Sequence, residues 1–250
     1  MTEGYPWYWT FRTALPSSFR HRARRGADAL LAGVAGSVNG GRDRTRVCLT
    51  LDDGPDPHIT PAVLDALAAR NARCTFFLLT DQARARPDLA RRIAGAGHEV
   101  ALHGRDHRPM TGLSARTVRR YLTGARHELQ DLVQQPVGLY RPPYGAQSPR
   151  SYLGARQAGL EVVVWSGDAA DWVDRPGSQV VTDALRGAEP GAILLFHERL
   201  EPHPTRGAPT TSFDRADAVA GIVDGILERG LIPSTVGDLS EHRRTTWFRP

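Results

Sequence analysis

Five short blocks of this 250-residue chain carry residues able to do chemistry: Asp52-Asp53-Gly54-Pro55, His103 with His107, Arg141-Pro142-Pro143-Tyr144-Gly145, Asp168 with Asp171-Trp172, and Leu195-Phe196-His197. Each has an ordinary structural reading: an acidic turn, surface histidines, a stiff loop, a packed histidine. Taken together they supply more. His103, His107 and Asp53 form a two-histidine, one-carboxylate donor set that leaves coordination positions open, as a divalent cation holding water requires. Adjacent carboxylates point to opposite sides of an extended chain, so one can bind the ion while its neighbour faces the water. Arg141 on a proline-stiffened loop can aim at a carboxylate, and that loop can turn a backbone N–H toward a developing oxyanion. His197, steered by a carboxylate such as Asp168, reads as a proton donor. Cation, base and acid together are the minimum for hydrolysing an unreactive amide. The same donor set also occurs in non-haem iron oxygenases. Those enzymes need neither a second aspartate nor a remote acid, and they favour all-β scaffolds.

Such dispersed residues need a fold that gathers them. From residue 46 onward, β-like runs alternate with helical patterns. The expected strands are 46–51, 74–79, 99–102, 137–140, 161–165, 192–196 and 232–236. The expected helices are 61–69, 87–96, 115–132, 149–157, 178–186 and 216–228. Thr60-Pro61 and Ser148-Pro149 read as capped helix starts. Gly97, Gly159 and Gly230 read as helix stops. Seven strands alternating with helices predict a parallel α/β sheet, open or closed. Every chemical block falls at or just past the C-terminal end of a strand, the face on which (β/α) barrels build active sites. Residues 1–43 fall outside the alternation and read as an extension. Residues 44–241 read as the barrel and 242–250 as a tail. His98 reads as a structural histidine, and the proline-rich loop 198–213 as a rim of the site.

Composition narrows the class. The chain is 40% hydrophobic and 24% charged, with a formal net charge of +5 carried by 32 basic residues, all arginine. A basic surface suits an anionic substrate or a phosphate-bearing carrier. There is no aromatic-basic repeat of the single-strand-binding kind, so no nucleic-acid partner is expected. Cys48 and Cys74 lie in apolar runs and read as buried thiols, not a disulfide framework. No apolar stretch is long enough to span a membrane. Arg20–Arg25 followed by apolar 29–38 resembles a weak export signal, but Asp28 interrupts it and no small-residue cleavage site follows. The expectation is a cytoplasmic protein, with membrane contact open to the aromatic segment Tyr5–Trp9. No feature sets an oligomeric state.

The five blocks, in this order, resemble those of the polysaccharide deacetylase family, the NodB-homology or carbohydrate esterase family 4 group. Thr75-Phe76-Phe77, Gly97-His98-Glu99 and Gly230-Leu231-Ile232 extend the likeness over about residues 45–240. The resemblance implies a distorted (β/α)₇ barrel and metal-dependent removal of an acetyl group from an N-acetylated sugar. It makes Asp52 the catalytic base and Asp53, His103 and His107 the ligands of a divalent metal, Zn²⁺ first, with Co²⁺ or Ni²⁺ as alternatives. It has Arg141 orient Asp52, Tyr144 offer its backbone N–H to the oxyanion, Asp168 orient the acid His197, and Trp172 and Leu195 line the acyl pocket. Gly104, Thr80 and Glu198 depart from the usual pattern, which is Ser or Thr, Gly and Asp at these places. They point to a divergent subgroup. The implied alternatives are a deformylase or amidohydrolase acting on a small metabolite or lipid-linked sugar, and a non-catalytic sugar-binding module.

Overall fold

The computed structural model describes residues 35–202 and 209–248. Tyr5–Trp9, the Arg20–Arg25 run and part of the expected rim loop lie outside the described residues. The strands are β1 (Ser37–Gly41), β2 (Arg46–Asp52), β3 (Thr75–Leu79), β4 (Glu99–Gly104), β5 (Leu139–Tyr140), β6 (Glu161–Val162), β7 (Gly167–Asp168), β8 (Ile193–His197), β9 (Ile232–Ser234) and β10 (His242–Thr245). The helices are α1 (Ile59–Ala68), α2 (Thr80–Ala85), α3 (Pro87–Gly95), α4 (Ala115–Val133), α5 (Pro149–Gln157), α6 (Gly177–Arg186) and α7 (Arg215–Glu228).

The main sheet is parallel and runs β6-β5-β4-β3-β2-β8-β7. β9 pairs with the first half of β2, on the side that β3 occupies further up. The sheet curls into a distorted barrel whose two ends, β6 and β7, are consecutive in sequence. β1 lies against the opening, where Val38 bridges to Val163 and Gly40 to Ala192. β10 pairs antiparallel with β1, and Trp247 beyond it is buried. Ser37–Gly41 and His242–Thr245, which flank the span 44–241 read as the barrel, thus form a two-stranded sheet of their own against the edge that parallel pairing leaves open.

Strand alternation sorts the core into two shells. Val47, Leu49 and Leu51 of β2, Phe76 and Leu78 of β3, and Leu194 and Phe196 of β8 face outward and pack against the helices. Cys48, Phe77, Ala101 and Ile193 face inward with Val38 and Val163. Both cysteines are free and buried. The Ser148 expectation is met: its side chain accepts from the Ser151 N–H, and Ser151 returns the bond. The Thr60 expectation is not met. α1 begins at Ile59, and the Thr60 hydroxyl accepts from the Asp56 N–H instead. β7 and α2 were not read from the sequence, since a Gly-Asp strand and a polar six-residue helix carry no periodicity. Among the described residues no helix is long and apolar enough to cross a membrane.

Candidate active site

The inward positions decide which side chains meet. Thr50 and Asp52 on β2, Ala101 and His103 on β4, and Ile193, Leu195 and His197 on β8 alternate onto the barrel axis. Register then places Asp52 opposite His197 on one side and opposite Phe77 on the other. Asp53 follows at φ 73. This left-handed turn ends the strand alternation, so both carboxylates serve one pocket rather than opposite faces. Gly104, at φ +114, ends β4 and starts the loop that returns His107 to the same mouth. A side chain rarely adopts that φ, which accounts for glycine where the resemblance leads one to expect Ser or Thr.

His103 Nε2 and His107 Nε2 each lie 3.3 Å from Asp53 Oδ1. Asp53, His103 and His107 are the described residues whose donor atoms converge closely enough to hold one metal ion. The donor chemistry fits a cation. His103 Nδ1 donates to the Arg141 carbonyl at 2.8 Å, which turns the Nε2 lone pair toward the cluster. Asp53 Oδ1 is buried with no hydrogen-bond partner, a state costly for a carboxylate unless an ion completes it. Burial holds the His107 imidazole down at about 3, so it stays neutral, as a ligand must. Burial pushes the Asp53 carboxyl up, but His103 and His107 outweigh it and leave it below the usual carboxylate range. Asp53 Oδ2 accepts from the Glu201 N–H at 3.1 Å.

Beside the cluster lies Asp52, 2% exposed. Arg141, fully buried inside the barrel, donates from Nη1 to Asp52 Oδ1 and to the Thr50 hydroxyl, both at 2.7 Å. Its guanidinium stacks 4.1 Å from the Phe77 ring centroid. With Oδ1 engaged, Asp52 Oδ2 points to the donors, 3.8 Å from His103 Nε2. On the adjacent strand β8, in register with Asp52, stands His197. Its Nδ1 and its backbone N–H each lie 3.0 Å from the Asp171 carboxylate. Burial lowers the pKa of this imidazole, but the Asp171 charge and hydrogen bond prevail and lift it to about 9. Asp171 is itself held by Arg215 at 2.6 Å, and Arg215 also donates to the His197 carbonyl at 2.7 Å.

Asp171 thus replaces Asp168 in the expected role. Asp168 closes β7 and accepts from the Ala170 N–H at 3.1 Å. The chain then turns at Ala170, φ 45, and that turn brings Asp171 to His197. Arg215 was not read from the sequence. It sits among the polar residues that open α7, where an arginine carries no signal. Tyr144 stands at the mouth, 42% exposed, with a left-handed backbone (φ 57) and its ring 4.2 Å from that of His107. Trp172, also exposed, meets His197 edge-on at 5.9 Å. Leu195 is buried two residues before His197 on the same face of β8. His98 is structural: it is buried, pushed down to about 4 by that burial, and packed on Phe76. Thr80 opens α2 and donates to the Ala125 carbonyl at 3.1 Å.

Glu198 extends the site in an unexpected way. It is fully buried, and Thr60 donates to its Oε2. A Cβ on Gly54 would lie 1.2 Å from its Oε1. Burial pushes this carboxyl up to about 8, against the Thr60 hydrogen bond. The side chain therefore ties the loop after Asp53 to the strand that carries His197.

Residues 39–163 match the family model described as Polysaccharide deacetylase. A chitooligosaccharide deacetylase of Sinorhizobium fredii is 35% identical over 189 residues, covering 74% of this chain and 87% of that protein. The chain belongs to the polysaccharide deacetylase family. Among solved structures, a peptidoglycan N-acetylglucosamine deacetylase superposes with a TM-score of 0.69 at 27% identity, covering 82% of this chain and 94% of that one. A family 4 pseudoenzyme from Bacillus anthracis superposes with a TM-score of 0.72 at 22% identity, covering 82% of this chain and 69% of that one. That likeness shows the fold alone. Since this deacetylase fold also carries a pseudoenzyme, the reading of this chain rests on its site residues.

Proposed function

We propose that this chain is a metal-dependent hydrolase that removes the acetyl group from N-acetylamino sugars of the N-acetylglucosamine type. The observation that carries the reading is the convergence of Asp53, His103 and His107 in a site that also holds the Asp52–Arg141 pair and the His197–Asp171 pair. A non-catalytic sugar-binding module has no use for a buried base and acid beside a donor cluster. The likeness to a chitooligosaccharide deacetylase and to a peptidoglycan deacetylase supports the substrate class.

Two imidazoles and one carboxylate suit Zn²⁺, Co²⁺ or Ni²⁺, with Zn²⁺ our choice. Such an ion supplies Lewis-acid polarisation of the amide carbonyl and a lowered water pKa. The protein's own groups do the rest. Asp52 takes the proton of the attacking water through Oδ2, while Arg141, itself held by the Thr50 hydroxyl, fixes Oδ1. The Tyr144 backbone N–H steadies the oxyanion. His197, protonated at neutral pH and oriented through Nδ1 by Asp171, protonates the departing nitrogen from Nε2, since an amide nitrogen leaves poorly until protonated. Trp172 and Leu195 flank the space left for the small acyl group.

The test is product analysis with N-acetylglucosamine oligomers and added Zn²⁺, Co²⁺ or Ni²⁺. Acetate release, abolished by chelation, is the expected result. Formate release from N-formyl compounds with no acetate would instead establish a deformylase built on the same site.

A further inference from the structure

A second feature lies outside the catalytic mouth. Arg116, Arg119 and Arg120 on α4, with Thr123, face Gln157 of α5 across a groove of about 470 Å³. Arg150 opens α5 seven residues before Gln157 and so stands two turns above it on the same stripe. All four arginines are exposed. Arg44 aside, they are the arginines among the described residues that hold neither an ion pair nor a hydrogen bond. Elsewhere on the surface arginines find acids, as Arg91 does with Asp88 and Arg92 with Asp65. The first turn of α4 contains no acid. Cations there oppose the helix dipole as well as one another, and no intramolecular contact offsets that cost.

The topology connects this groove to the site. In a parallel sheet the crossover helices begin at the face where the strands end. α4 starts eight residues after His107 and α5 starts five residues after Tyr144. The Ser148 hydroxyl that caps α5 also donates to the Thr111 carbonyl in the His107 loop, at 3.0 Å. We infer that the α4–α5 groove is a docking track for an acidic stretch of the glycan substrate, one bearing carboxylates among its N-acetylated sugars. Planar guanidinium forks match carboxylates two bonds at a time, and the Thr123 hydroxyl and Gln157 amide between them suit sugar hydroxyls. The groove offers no aromatic ring for a nucleobase. It is concave rather than the amphipathic ridge that lies in a membrane surface.

This inference rests on the deacetylase reading, and its test separates the two. The Arg116→Gln, Arg119→Gln, Arg120→Gln triple variant removes the charges without adding acids, and loss of cations at a helix start favours folding. Labelled hyaluronan oligosaccharide, an N-acetylated and carboxylated glycan, serves as the probe, with neutral N-acetylglucosamine hexamer as the control. The wild type is expected to bind the acidic probe at least about tenfold more tightly than the triple variant, and to lose that advantage as salt rises from about 50 to about 300 mM. Turnover of the neutral hexamer is expected to stay within about twofold in the variant. Equal hyaluronan affinity in both proteins overturns the groove. So does tighter wild-type binding to phosphatidylglycerol vesicles or single-stranded DNA than to hyaluronan. Absence of acetate release from the hexamer overturns the deacetylase reading instead, and the binding comparison judges the groove independently of it.

Discussion

At the residue scale, the acid side of the site rests on one carboxylate. His197 is lifted to about 9 by Asp171, so the protonated form needed by an acid is present at neutral pH and is lost as pH rises through about 9. The alkaline limb of kcat/KM is therefore expected near that value. Asp171→Asn removes the charge that favours the imidazolium and should move the limb toward lower pH, measured as a pH–rate profile beside an NMR titration of His197. Asp168→Asn should leave the limb in place, because Asp168 bonds to the Ala170 N–H and not to the imidazole. Replacing a positioned acid or base costs about 10²–10⁴ in rate. Losses of that size or more are expected for Asp52→Asn and His197→Ala in single-turnover assays, with metal content by elemental analysis unchanged in both. Near-normal turnover in either would remove that residue from the mechanism.

At the scale of elements, the loop between β2 and α1 is held from the neighbouring strand β8 by the residue after His197. Gly54→Ala places a methyl group on the Glu198 carboxyl and should displace Asp53, weakening metal binding by at least about tenfold in calorimetry. Glu198→Ala makes room for that methyl, so the double variant should recover part of the lost affinity. A double variant no better than Gly54→Ala would rule out this packing as the cause. The Glu198 side chain also carries a pH signature. Its folded pKa of about 8 lies above its ordinary 4.5, so the folded state keeps a proton that the unfolded state releases. The stability this contributes is complete below about 4.5 and is lost as pH rises through about 8. Glu198→Gln should flatten that part of the curve of Tm against pH. A parallel decline in wild type and variant would assign it elsewhere.

At the scale of the molecule, the segment around Trp247 holds the site's edge. Trp247 donates from Nε1 to the Gly145 carbonyl at 3.0 Å and packs edge-on against Trp165 at 5.1 Å. Gln147 donates to the Trp247 carbonyl at 2.7 Å. Gly145 adjoins Tyr144, so the C-terminal strand braces the loop that faces the metal donors. Trp247→Ala should cost about 3–5 kcal/mol in denaturant unfolding, and it should lower activity through the Tyr144 loop even where the fold survives. Metal acts over the same distance. An ion bound to the folded state alone stabilises it by mass action, so chelation should lower Tm in the wild type and leave Asp53→Ala unchanged.

Much of this was legible in local chemistry. Alternating strands and helices announced a parallel α/β sheet, which the family resemblance closed into a barrel, and donor types at strand ends announced a metal with a base and an acid, because side-chain chemistry and strand period are properties of short segments. What no segment contains is which side chain meets which. The left-handed turn at Asp53 brings neighbouring carboxylates into one pocket, and the turn at Ala170 gives His197 to Asp171 instead of Asp168. Arg215 reaches the site from an element whose local sequence carries no signal, and residues 37–41 and 242–245, some two hundred positions apart, pair with each other against the barrel. Those choices depend on register and backbone turns summed over the whole sheet, and they are made only when it closes.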